Sequence, residues 1–360
     1  MTMSSKLKFS YLKRTLDFRF DAGTSRGVLK TRDVYWIKCW SESAPSVIGW
    51  GEAAPLVGLS PDFLEDFEQK LQEQLVISEK QSWPTTEDEL LLLIKEVVPM
   101  DLPSIRFGLE TAVLDLLNGG QKRILPNNFF DQELSIPING LIWMGDRDFM
   151  LRQIDQKLEE GFDCIKMKIG AIDFDQELEL LRYIRERVSP EKMVLRVDAN
   201  GAFSVEEALG KLERLSAYSL HSIEQPIKAG QWKQMRALCQ STPLPIALDE
   251  ELIGVREKEE LLDTIRPQHI ILKPTLVGGI LETREWIHLA EERGIGWWMT
   301  SALESNIGLN AICQLASSLR PSIPQGLGTG KLYHNNLNSP LQVHSGQIHY
   351  DATIPWETPA

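Results

Sequence analysis

From about residue 136 onward the chain repeats one unit, a short apolar run followed by a turn and a helix-like stretch. The runs read IPINGLIW, CIKMKIG, MVLRVDAN, HSIEQP, PIALDE, HIILKP, GWWMTSALES and QGLGTG. In one gap Phe174, Leu178, Leu181, Ile184 and Val188 recur at three- and four-residue steps. In another, Ser204 and Glu207 stand in capping-box spacing. Strands that are apolar throughout, rather than alternating, need cover on both faces, and the intervening helices supply it. The pattern therefore predicts an α/β fold with a parallel sheet. Eight strands predict closure into a (β/α)7β TIM-like barrel over residues 126–330.

The first 125 residues read differently. Apolar alternation in KLKFSYLKRTLDF, DVYWIKCW and SVIGWGEAAPL predicts three strands, with a polar, glycine-containing loop, DAGTSRGVLKTRD, between the first two. Helical patterns follow from Pro61 to about Val76, Thr86 to about Val98 and Pro103 to about Leu117, the last stopped by Gly119-Gly120. Strands first and helices after predict an α+β capping domain over 1–125. The stretch 331–360, where the alternation stops, is expected to complete it.

With 51 acidic against 38 basic residues the net charge is −13, which argues against a nucleic-acid or anionic-membrane partner. An anionic substrate then needs a locally positive site, built from lysines or a metal. No signal-peptide core and no run long enough to span a membrane is present. Cys39, Cys164, Cys239 and Cys313 form no CxxC pair and read as reduced, buried thiols, so the expected setting is the cytoplasm.

In a parallel barrel, functional groups sit where strands end. Those ends supply Lys168, Asp198, Glu224, Asp249 and Lys273, separated by 30, 26, 25 and 24 residues, about one strand–helix unit each. One strand-end Asp is an ordinary helix cap, but capping does not explain an ionisable group on five consecutive strands. Three carboxylates brought together repel, and their pKa values rise, unless a cation lies among them. The donors are all oxygen, with no Cys or His at these ends. The expected ion is therefore hard: Mg2+, with Mn2+ as substitute.

Lys168 and Lys273 flank the carboxylates on strands two and six, which face each other across a barrel mouth. Lysine is ordinarily protonated at neutral pH, but a nearby metal and a second ammonium favour the neutral amine, which can act as a base. Lys166, on the same strand face as Lys168, supplies that second ammonium. A KxK pair otherwise suits a solvated edge, whereas Ile165, Met167 and Ile169 suit a strand buried against helices. Base, metal and opposed amine together point to removal of a proton α to the carboxylate of a small molecule.

The pieces KMK (166–168), DAN (198–200), EQP (224–226), LDE (248–250) and LKP (272–274) resemble the enolase superfamily, in its muconate-lactonising subgroup. The likeness runs along nearly the whole chain. It implies Asp198, Glu224 and Asp249 as ligands of Mg2+ and Lys168 and Lys273 as the acid/base pair, with Lys166 and Asn200 in support. WGEAAPLVGLS (50–60), SALESNIGLN (301–310) and GTGKLYHNNL (328–337) are similar to segments of the branch that dehydrates 2-succinyl-6-hydroxy-2,4-cyclohexadiene-1-carboxylate in menaquinone biosynthesis. That likeness implies a syn elimination. Lys168 takes the α proton and then helps hydroxide leave, while Lys273 stays an ammonium over the ring face. Subgroup members that racemise N-acylamino acids or epimerise dipeptides use the same five residues. Dipeptide epimerases typically carry Asp-x-Asp on the eighth strand, and QGLGTGKL has no acid there. N-acylamino acid racemisation therefore stays open as the alternative.

Weaker signals are read as follows. GLGTGK (326–331) lacks phosphate-loop spacing and leads into an extended segment, so it reads as a glycine-rich loop at the mouth. His221 and His269 sit at strand starts and read as structural, and Trp297 and Trp298 as core. Ser301, Glu304 and Ser305 lie nearer the mouth, as candidates to line a substrate pocket. GTSRGVLKT (23–31) reads, on the family likeness, as a lid supplied by the cap.

Overall fold

A computed structural model describes residues 6–24 and 27–359. Three antiparallel strands come first, β1 (Leu7–Thr24), β2 (Gly27–Ser41) and β3 (Ala44–Ala53), in that order across one sheet. Successive β2 side chains enter different cores, as the two-residue period requires. Tyr35, Ile37 and Cys39 join one hydrophobic cluster, while Val34 and Trp36 join a second with Trp143, Leu303 and Tyr333. The stretch expected as a loop, DAGTSRGVLKTRD, is largely β-ladder instead: Asp17 pairs with Thr31 and Ala22 with Leu29, either side of a register shift. Among its described residues many positions are exposed, so burial imposes no alternation to read. Ser25 and Arg26 of the expected lid lie outside the described residues.

Helices Phe67–Glu79, Glu87–Val97 and Pro103–Leu117 follow. The first starts later than its Pro61 signal because residues 56–64 turn back on themselves, with Ser60 Oγ accepting the Leu56 N–H at 2.7 Å. The third matches its predicted span, with proline at the first helical position. β3 packs directly on it. A Cβ on Gly51 would lie 2.0 Å from Gly108 O, so this contact demands glycine.

The run IPINGLIW divides into β4 (Ile136–Pro137) and β5 (Gly140–Ile142). Then come β6 (Cys164–Lys168), β7 (Val194–Asp198), β8 (Ser222–Glu224), β9 (Ile246–Leu248), β10 (His269–Leu272) and β11 (Gly296–Met299). β5 to β11 form one seven-stranded sheet in chain order, every neighbouring pair parallel. Helices occupy the gaps, and Ser204 and Glu207 close the expected capping box on Val205–Ser216. QGLGTG, expected as a strand, forms none among the described residues. Gln325 and Gly326 make only isolated parallel bridges, to Ile138 and Thr300 at the two outer sides of the sheet. Three glycines in six residues weaken a ladder there.

The C-terminal stretch divides. Arg19 N–H donates to Leu332 O and His334 N–H to Asp17 O, so residues 332–334 run along β1. β12 (Leu341–His344) and β13 (Gln347–Tyr350) pair with each other, and β13 pairs with β4 rather than with the first sheet. No helix among the described residues is long and apolar enough to cross a membrane, and the four cysteines are buried and free.

Candidate active site

Parallel pairing places three of the expected side chains at one level. Lys168, Asp198 and Glu224 end β6, β7 and β8 and are direct neighbours in register. Asp249 follows β9 at once, and Lys273 follows β10. All five are buried, as is Lys166 one step below Lys168. Lys166 Nζ donates to Glu224 Oε2 at 2.7 Å and reaches Asp198 Oδ2 at 3.4 Å. Lys168 Nζ donates to Asp198 Oδ2 and to Asn200 Oδ1, both at 2.8 Å, and Lys273 Nζ is paired with Asp249 Oδ2. The Asn200 backbone sits in the left-handed region, φ 44°, which asparagine tolerates. That turn lets its N–H cap Asp198 Oδ1 at 3.0 Å while its amide donates to Glu250 Oε1 at 3.0 Å.

Charge decides how each group sits. Burial works against the Asp198 anion, but the Lys168 and Lys166 ammoniums outweigh it and hold the carboxyl below the usual range. Burial would likewise lower Lys166, yet Glu224 and Asp198 hold it above an ordinary lysine, a firm ammonium. Asp249 goes the other way. Burial drives its carboxyl well up, and Glu250 and Glu224 add to that against the opposing Lys273. Glu224 Oε1 is buried without a hydrogen-bond partner. Among the described residues no three His, Cys, Asp or Glu side chains are gathered closely enough to grip an ion as they stand. Lysine amines are interleaved with the carboxylates instead.

A cavity of about 990 Å3 opens onto Lys166, Lys168, Asp198, Asn200 and Lys273. Gly27, Val28 and Leu29 from β2, with Leu56 and Leu59, line its other wall, so the described part of the expected lid does face the site. Of the three polar candidates after β11, only Ser301 lines the cavity. Glu304 is fully buried behind it, accepting from Ser301 Oγ at 2.6 Å and Thr275 Oγ1 at 2.5 Å. Ser305 caps helix Asn306–Leu319 and bonds Glu52. Three contributors have no signature in spacing: Asn139 and Thr300, which line the cavity and each carry a buried, unpartnered polar oxygen, and Trp143, whose ring lies 6.0 Å from Lys168 Nζ.

Sheet and site together define the class of the enolase C-terminal domain-like proteins, whose family model matches residues 150–354. An o-succinylbenzoate synthase of Desulfotalea psychrophila is 46% identical over 96% of this chain and 99% of its own length. The crystal structure of MenC from the same organism superposes with a TM-score of 0.85, at 42% identity, covering 96% of this chain and 100% of that one. An N-succinylamino acid racemase of Amycolatopsis sp. is 25% identical over 90% of this chain and 87% of its own. The chain belongs to the o-succinylbenzoate synthase family of the enolase superfamily.

Proposed function

We propose that this chain dehydrates 2-succinyl-6-hydroxy-2,4-cyclohexadiene-1-carboxylate to o-succinylbenzoate, as a carbon–oxygen lyase of menaquinone biosynthesis in the cytoplasm. The observation that carries the reading is the level set of Lys168, Asp198 and Glu224 at adjoining strand ends, with Lys273 paired to Asp249 beside them. The reading takes residues 126–330 as a (β/α)7β barrel closed through Gln325 and Gly326. Residues 1–125, completed by 331–360, then form its α+β cap.

The donor set fits a hard divalent cation, Mg2+ or in its place Mn2+. Asp198, Glu224 and Asp249 offer only oxygen, one buried Glu224 oxygen has no hydrogen-bond partner, and burial with the nearby Glu250 and Glu224 drives the Asp249 carboxyl up despite Lys273. Held by those three carboxylates, the ion supplies the concentrated positive charge that a carbanion α to a carboxylate needs. Lys168 does the proton work: its Nζ accepts the α proton, then delivers it to the departing hydroxide, which leaves as water from the same face. The C–H and C–O bonds break and the ring becomes aromatic. Lys273, kept an ammonium by Asp249, Glu224 and Glu250 against the effect of burial, presents a cation toward the ring. Lys166 and Asn200 fix the position of the Lys168–Asp198 pair, and Glu304 orients the Ser301 hydroxyl at the cavity wall.

The same pair of amines also permits the second reading, racemisation of N-acylamino acids. Aromatic product formation from the cyclohexadiene acid, set beside α-proton exchange of N-succinylamino acids in D2O, separates the two. We expect dehydration that a chelator abolishes and Mg2+ restores. Exchange without dehydration transfers the assignment to racemisation, and no turnover in either assay overturns both.

A further inference from the structure

Arg196 lies two residues before Asp198 on β7, in register with Lys166, and is only 1% exposed. A guanidinium cannot shed its charge on burial, as a lysine or carboxyl can. Its Nη1 donates to Pro324 O at 2.9 Å, but Nε and Nη2 have no hydrogen-bond partner. Glu224 on the next strand attracts Arg196 without contacting it, its Oε2 being held by Lys166, and no ion pair among the described residues includes Arg196. The guanidinium instead lies 4.1 Å from the Trp298 ring. His221 and His269 stack on each other, ring centroids 5.0 Å apart, and both pack on that same tryptophan. Trp298 Nε1 and His269 Nδ1 are also buried without partners. The histidines are pushed down to about 4, by burial first and Arg196 second, so at neutral pH they add no charge. Both are partly exposed at the starts of their strands, so the cluster borders solvent on that side.

Water can satisfy stranded N–H groups but cannot offset a buried charge, whereas an anion does both. We propose that Arg196 and Trp298, with neutral His269 in its Nδ1–H tautomer, form a binding site for one small inorganic monoanion of the chloride type. It lies at the amino-terminal end of the parallel sheet, on the side away from Lys168 and Lys273. Neither lysine takes part in it.

Crystals of the full chain grown without halide and soaked in bromide test this. An anomalous peak is expected within hydrogen-bond reach of Arg196 Nη2 and Trp298 Nε1. In solution, the melting temperature should be higher in bromide than in gluconate at equal ionic strength. Arg196→Met removes both the peak and the difference. Should that variant not fold, Arg196→Lys, which keeps the charge but loses the planar fork, weakens bromide binding roughly tenfold. Water density with no bromide peak overturns the proposal. So does a peak that survives in folded Arg196→Met.

Discussion

Lys166 and Lys168 stand two residues apart on one face of β6 yet keep different company. Lys166 bridges Glu224 and Asp198, while Lys168 meets Asp198 and Asn200, and both line the cavity. Removing the firm Lys166 ammonium takes positive charge from beside the proposed base. Lys166→Ala should therefore move the ascending, acidic limb of the pH–rate profile to higher pH, and an unchanged limb removes Lys166 from any tuning role. At this scale the sequence speaks clearly only where chemistry and period coincide. Lys168, Asp198, Glu224, Asp249 and Lys273 stand out because ionisable side chains recur once per strand–helix unit. Asn139 and Thr300 do not, since a single polar residue near a strand end is equally at home in a loop. Glu304 shows the limit from the other side: its neighbourhood is right, but it acts behind Ser301 rather than on the cavity.

Elements follow the same logic of how tightly burial constrains sequence. Helix Pro103–Leu117 is buried along nearly its whole length and bounded by proline and glycines, so its ends are readable to the residue. The β1–β2 ladder has many exposed positions, and its described continuation over residues 17–24 and 27–31 has no apolar period to follow. QGLGTG fails as a strand because position along the chain suggested one, while its glycines allow only two bridges. The β3–helix contact gives a direct check. Gly51→Ala places a Cβ 2.0 Å from Gly108 O and 2.6 Å from Thr111 Oγ1, and should cost about 3 kcal/mol or more in denaturant unfolding. Gly210→Ala, mid-helix in Val205–Ser216 with nothing within 4 Å of its new Cβ, should instead stabilise by about 0.5–1 kcal/mol. Equal effects at the two sites would mean that close approach is not what holds glycine at position 51.

Across the whole molecule the first 125 residues are tied to the rest by buried carboxyls. Glu52 on β3 accepts the Ser305 and Gly308 N–H groups, both at 2.8 Å, at the start of helix Asn306–Leu319. Glu110, in helix Pro103–Leu117, accepts the Ile280 N–H at the start of helix Ile280–Glu292. Burial raises Glu110 from 4.5 to about 8, against the opposing pull of that N–H and Arg106. A raised folded value means the fold prefers the protonated group. This contribution to stability is thus complete below 4.5 and lost as pH rises through about 8. Glu110→Gln keeps an acceptor for Ile280 and cannot ionise. It should flatten the fall in unfolding free energy over that window by an amount on the order of a few kcal/mol, and a slope as steep as the parent's would place the titration elsewhere. These ties join the segment that carries Leu56 and Leu59 of the cavity wall to helices of the parallel-sheet region, beside the lysines of the proposed chemistry. The most direct measurement is the rate of o-succinylbenzoate formation, with Mg2+ present, by the parent chain and by Lys168→Ala. A loss of roughly 10²–10⁴-fold or more is predicted for the variant. Near-parent dehydration by Lys168→Ala would contradict Lys168 as the group that moves the proton.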